Sequence, residues 1–240
     1  MATLYSPKIV TDGLILTLDP INIKSYPGSG TRLDDITGNN LSGSLAGSSI
    51  VTNPYGFAFT SGSSLVTINN TGLLNFTTSS EFTLNVWAQI DTSTTSSNIN
   101  NTGCLFSAGS FGGSIGIGFS IARGGVIDQY AISFAGRPVS ATDSAYYATI
   151  SKGVIYNATM VFSGSIAYGY INGVIVGSAS VGGGTGQFST NWTMFADRGV
   201  PGGNTFKPEG KLYYASAYSR ALLPREIQQN YNAIRPRIGV

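Results

Sequence analysis

The sequence predicts an all-β sandwich, or jelly roll, closed by one short C-terminal helix. Three observations carry this: many short apolar runs punctuated by turn residues, one clean alternating strand at 82–90, and a single helix-like stretch after Pro224. At 240 residues the chain is long enough to bury a sizeable core, and residues 1–240 are read as one domain, because no Pro/Ser linker, heptad run or repeat divides them.

The first strand is expected at 13–18 and ends at Pro20. Residues 22–49 read as loop, with turn formers Pro27, Gly28, Gly30, Gly38, Asn39 and Asn40. Short strands follow at 56–60 and 64–68. In 82–90, Phe82, Leu84, Val86, Ala88 and Ile90 face one way, and Thr83, Asn85, Trp87 and Gln89 the other. After a polar loop at 91–102, strands are expected at 103–108, 115–122, 128–135, 146–150 and 154–163. Strands at 165–171 and 174–179 flank Asn172-Gly173, a pair that favours positive φ at both positions and so predicts a tight hairpin. A strand near 191–196 and a Gly/Pro-rich loop at 197–209 lead to the last strand, 210–218, in which Leu212, Tyr214 and Tyr218 are read as sharing one side. Pro224 suits a first helical position and Glu226 the first turn, while Ile227, Tyr231 and Ile234 form one apolar stripe. So short a helix must dock on β-structure to persist.

Composition narrows the function. Charged residues are 10% of the chain, against roughly 25% in average globular proteins, so its surface is built from Ser, Thr, Asn and Gly. Net charge is +2 with no basic stripe, which argues against nucleic-acid binding. No apolar run is long enough to cross a membrane as a helix, and the N-terminus lacks a signal-peptide pattern. One cysteine, Cys104, leaves no intramolecular disulfide and sits in an apolar run that suits a buried thiol. There is no histidine, which removes the usual triads, the usual zinc sites and the commonest general base. The three glutamates, Glu81, Glu209 and Glu226, are isolated, and adjacent Asp34 and Asp35 point apart on an extended chain. Glycoside hydrolysis needs a facing carboxylate pair, so the expectation is a protein that is not an enzyme.

The segment Gly210–Tyr218, then Ser219-Arg220-Ala221-Leu222 and Glu226-Ile227-Gln228-Gln229-Asn230-Tyr231-Asn232-Ala233, resembles the end of laminin-G-like domains of the concanavalin A-like lectin/glucanase superfamily, in the version found in bacteriophage structural proteins. Gly13–Asp19, Ser25–Thr31, Leu33–Asn39, Phe82–Trp87 and Tyr170–Gly173 are similar to further family stretches in the same order. Leu33 stands where the family usually has Trp, and Leu223 where Ser or Thr would cap the helix. The resemblance implies a concanavalin A-like jelly roll with its first and last strands side by side. It also implies a non-enzymatic virion structural protein: a capsid decoration or head-fibre protein on the virion surface, assembled in the host cytoplasm. Its expected partners are other virion proteins such as a major capsid protein, with self-association and surface glycans as further options.

The alternative is a carbohydrate-binding adhesin, a tail-fibre tip or secreted lectin-like module. Its candidate glycan contacts are Trp87 with Asn85, and Tyr168 with Tyr170 on another strand; ordinary burial of Trp87 is the competing reading. Asp19 and Asp35 are weak calcium candidates, because calcium needs six to eight oxygens and Asp also braces turns; bracing is preferred, and no cofactor is expected. For docking on a particle, the candidates are Arg235, Arg237 and Ile238 of the tail, together with loops 91–102 and 197–209. Packing of the tail on its own sandwich is the competing reading.

Overall fold

A computed structural model describes residues 7–47, 50–53, 56–59, 65–77, 80–91, 103–108, 116–123, 130–137, 144–180, 192–197 and 209–240. Among these, the chain begins with β1 (Leu14–Leu18), β2 (Arg32–Asp34), β3 (Ser42–Ala46), β4 (Ile50–Asn53), β5 (Gly56–Phe59) and β6 (Leu65–Asn69). It continues through β7 (Phe82–Ile90), β8 (Gly103–Ala108), β9 (Gly116–Arg123), β10 (Tyr130–Arg137), β11 (Ser144–Ile150) and β12 (Ile155–Ser163). It ends with β13 (Ile166–Ile171), β14 (Val174–Ser180), β15 (Trp192–Met194), β16 (Ala196–Asp197), β17 (Gly210–Tyr218) and helix α1 (Pro224–Ile238).

The strands form two antiparallel sheets. The first runs β14-β13-β12-β7-β17-β5-β4, with β1 also paired to β17; the second runs β11-β10-β9-β8-β15-β6-β3-β2, with β16 on β8. Leu18 lies opposite Ala215 and Leu16 opposite Ala217, so the first and last strands are neighbours, as the resemblance implies. Residues from opposite ends of the chain thereby close the first sheet.

The alternation in β7 determines where the core lies. Phe82, Leu84, Val86, Ala88 and Ile90 point between the sheets and join Leu105, Phe106, Trp192 and Met194 of the second sheet in one buried cluster. Fully burying each large apolar side chain contributes about 1.5–3 kcal/mol. The Phe76 ring stacks on Phe82 at 4.2 Å and meets Trp192 edge-on at 5.9 Å.

Two sequence expectations are corrected. The 22–49 stretch is not all loop: it holds β2 and β3, whose polar side chains hide a strand pattern of buried Leu33 beside Gly43. Gly43 has to be small, since a Cβ there would stand 2.7 Å from Val66 Cγ1. Leu212 does not share a side with Tyr214 and Tyr218. A bulge between Leu212 and Tyr214 sends Leu212 into the intersheet core and the tyrosines to the opposite face. The helix runs through Pro236 to Ile238 and ends at Gly239 with φ 84°.

The Asn172-Gly173 turn has φ of 52° and 81°, as the dipeptide predicts. Asn172 also exchanges hydrogen bonds with Asn157, its N–H donating to the Asn157 carbonyl and its side-chain oxygen accepting from the Asn157 N–H.

Candidate functional site

The residues that the sequence offers as a glycan surface lie on the outer face of the first sheet. Cross-strand register brings them together: Asn85 lies opposite Thr159 and Ser216, and Trp87 opposite Asn157 and Tyr214. Helix α1 then covers this face. Trp87 is 1% exposed and stacks on Tyr231 of α1, centroid to centroid 5.4 Å and nearly parallel. Asn85 is buried and its amide donates to Thr159 Oγ1 at 2.6 Å. Tyr170 is buried and Tyr168 half-buried, both packed with Tyr218, Leu222 and Ile227. Burial raises the pKa of the Tyr170 hydroxyl, and neighbouring Tyr168 adds to the shift. Trp87, Asn85 and Tyr170 are thus corrected from sugar contacts to the bed of a helix. An aromatic among amides is here a half-polar packing surface, in which the Thr159 hydroxyl accepts from Asn85 and donates to Asn157 Oδ1.

The start of α1 is tied down by charge. Leu223 at the N-cap has no side-chain acceptor, so Glu226 takes its place: its Oε2 accepts the Leu223 N–H at 2.8 Å. Arg220 grips the same carboxylate through both terminal nitrogens, at 2.8 and 2.7 Å. The Arg220 hydrogen bond is the main cause that lowers the Glu226 pKa to about 2. Thr83 Oγ1 donates to the Arg220 carbonyl and accepts from the Leu222 N–H, fixing the corner to β7. Residues 8–10 are strapped to the helix, because Asn230 Oδ1 accepts the Val10 N–H and Gln229 donates to the Lys8 carbonyl.

The loop acids and the tail are also committed internally. Asp35 accepts the N–H groups of Thr17, Thr37 and Asn39 and the Thr37 hydroxyl, which is turn bracing. Asp19, its side chain 2% exposed, pairs with Arg237 Nη2 at 2.7 Å. No cluster of three or more metal-ligating side chains occurs among the described residues. Of the docking candidates, Ile238 is buried against Trp87, Tyr213 and Ile234, and Arg237 serves Asp19. Arg235 stays exposed, its guanidinium 5.8 Å from the Tyr231 ring centroid. Loops 92–102 and 198–208 lie outside the described residues.

The second sheet carries a polar groove of about 690 Å³ that sequence reasoning missed. Its floor is built by register. Arg32 lies opposite Ser44 and Ser44 opposite Thr67, while Ser42 and Asn69 form the next row, with Asp34 beside it outside the lining. Leu33 and Ile68, between these positions, point into the core. The 70–76 loop makes one wall. Asn70 Oδ1 accepts the N–H groups of Gly72 and Leu74, and Asn70 Nδ2 donates to Asn75 at 2.8 Å. Buried Trp192 donates its indole N–H to the Leu74 carbonyl at 2.9 Å, so the wall is anchored from below. Among the described residues the lining is mostly hydroxyl and amide, with Ile68 and Gly72 between them and Arg32 the one charged side chain. A sequence signal was present: polar 32, 44, 67 and 69 alternate with inward 33, 43, 66 and 68.

A family model described as the concanavalin A-like lectin/glucanases superfamily, of laminin-G type, matches residues 60–228. No curated protein sequence matches the chain. Among solved structures, a Trypanosoma rangeli sialidase in complex with sialic acid has TM-score 0.68 at 17% identity, covering 97% of this chain and 34% of the sialidase. The binding domain of botulinum neurotoxin DC in complex with SialylT has TM-score 0.67 at 15% identity, covering 93% of this chain and 52% of that one. The same toxin domain with rat synaptotagmin II has TM-score 0.66 at 16% identity, over 92% and 52%. The chain therefore spans about a third to a half of the structures it matches, and at these identities the likeness is one of fold. With the family model covering most of its length and the two-sheet architecture to match, the chain belongs to the laminin-G-like group of the concanavalin A-like lectin/glucanase superfamily.

Proposed function

We propose that the chain is a non-enzymatic virion structural protein of a bacteriophage, displayed on the particle surface as a capsid decoration or head-fibre protein. The observation that carries the non-enzymatic half is the use of its acids. Asp19 pairs with Arg237, Asp34 with Arg32, and Glu226 with Arg220, while Asp35 braces a turn and Glu81 accepts from Ser163. Each of these carboxylates is engaged by a cation, a hydroxyl or backbone N–H groups, which supports structural roles over the paired acid and base that hydrolysis requires. The virion half rests on the resemblance of the 210–233 segment to the bacteriophage version of the family. Strapping of residues 8–10 to α1, and of α1 to Asp19 through Arg237, suits a domain that must stay closed while exposed. The partners in this reading are other virion proteins, with a major capsid protein the foremost, and copies of the chain itself. Mass spectrometry of purified particles, with imaging of particles that have and lack the protein, tests it. Surface density that vanishes with the protein supports the assignment; particles devoid of the chain reject it.

A second reading, glycan binding by an adhesin, is favoured by one observation: the groove of β2, β3 and β6 is lined by side chains that both donate and accept hydrogen bonds. The fold neighbours solved with sialic acid and with SialylT are in keeping with it. A glycan array probed with the folded protein decides between binding and none.

A further inference from the structure

We propose that the β2–β3–β6 groove selects a saccharide bearing a carboxylate, and that Arg32 is the residue that selects it. This rests on the glycan-binding reading and narrows its ligand class. Ser44, Thr67 and Asn69 supply hydroxyl and amide groups in rows spaced by the strand register, which suits successive hydroxyls of a sugar. Among the described residues the lining holds no aromatic ring, so a neutral pyranose finds no flat apolar face there to stack on. What the groove has instead is one cation.

Arg32 is disposed to accept an acid. Its side chain is 70% exposed, and its Nε donates to Asp34 Oδ1. That contact occupies one edge of the guanidinium and restrains its plane. The Nη1 and Nη2 pair has no partner among the described residues, and this edge matches a carboxylate with two parallel hydrogen bonds. Asp34 itself is not part of the lining, so it orients Arg32 from the side while lowering the net positive potential there. The wall needs no ordering on binding, since Asn70, Asn75 and the Trp192 bond to Leu74 already hold it. The pair between ligand and Arg32 is exposed, so binding is weak and falls with salt.

The test is amide chemical-shift titration of the isotope-labelled chain with four probes. Trigalacturonic acid and 3′-sialyllactose carry the carboxylate; maltotriose and lactose do not. The expected result is that an acidic probe shifts amides around Arg32, Ser44 and Thr67, less so at high salt, while the neutral probes do not. Arg32→Gln lowers that affinity about tenfold or more. Asp34→Asn, which removes the competing carboxylate, keeps or raises it. Neutral probes binding the groove equally, unmoved by Arg32→Gln, overturn the selectivity and leave the glycan reading standing. Failure of all four probes to shift the groove overturns both. Equal shifts by hexaglutamate would mark a general acid site and overturn the saccharide class. An unchanged background spectrum in each variant shows that the fold is intact, as expected for exposed positions.

Discussion

The two sheets of this sandwich present outer faces of nearly the same chemistry and opposite fate. On the first sheet, Thr83, Asn85, Thr159 and Ser216 lie in cross-strand rows with tyrosines and Trp87. On the second, Ser44, Thr67 and Asn69 lie in similar rows without aromatics. Helix α1 lands on the first, where Trp87 and the tyrosines give Ile227, Tyr231, Ile234 and Ile238 apolar rings to pack against, and the β3–β6 rows of the second stay exposed at Ser44, Thr67 and Asn69. Aromatics on a polar sheet face are what a short amphipathic helix needs to be held, since it cannot persist alone. Hydroxyls and amides without aromatics stay in water and remain available to a ligand.

The sharpest way to break this comparison is Trp87→Ala. Loss of a fully buried indole stacked on Tyr231 is expected to cost about 3–5 kcal/mol. Urea unfolding measures it; a change within experimental error would mean that α1 does not depend on this bed. Next in size is removal of residues 235–240, which deletes buried Ile238 and leaves the Asp19 carboxylate buried without Arg237. A loss of about 2–4 kcal/mol is expected. A truncated chain as stable as the parent would return the tail to the docking candidates.

A smaller effect sharpens the comparison through pH. The folded pKa of Glu226 lies below its unfolded value, so its clasp with Arg220 contributes fully above pH 4.5 and is lost as pH falls toward 2. The stability gap between the parent and Glu226→Gln should therefore hold steady from pH 7 to 5 and close on approach to pH 2. A gap that closed near pH 6 would contradict the assignment. The smallest effect belongs to the open face. Thr67→Ala and Arg32→Gln should each shift stability by about 0.5 kcal/mol or less, because both side chains are solvated. Melting curves well below the parent's would show that the groove is structural after all.

Much of the fold is legible along the chain. The period-2 pattern of β7 and the φ demand of Asn172-Gly173 are properties of neighbouring residues, and both appear where the pattern puts them. The bulge that turns Leu212 away from Tyr214 is not legible, since it arises from how β17 meets β7. The groove escaped for a related reason. The three residues of β2 and the small residues of β3 give too weak a periodic signal, so 22–49 reads as loop.

By itself the sequence determined an all-β sandwich, the inward and outward residues of β7 and the absence of histidine chemistry, whereas the pairing of β1 with β17 was implied by the family resemblance. The former follow from composition and from spacing a few residues long. Only the tertiary structure decided which polar face is covered. Trp87 and Tyr231 are far apart in the chain, and so are Arg32 and Thr67; each pair is created by strand register and helix docking. The physical reason is that a Thr/Asn face costs little whether it is solvated or hydrogen-bonded under a roof. Its residues therefore do not announce which; the apolar stripe of α1, remote in sequence from β7 and β12, settles it.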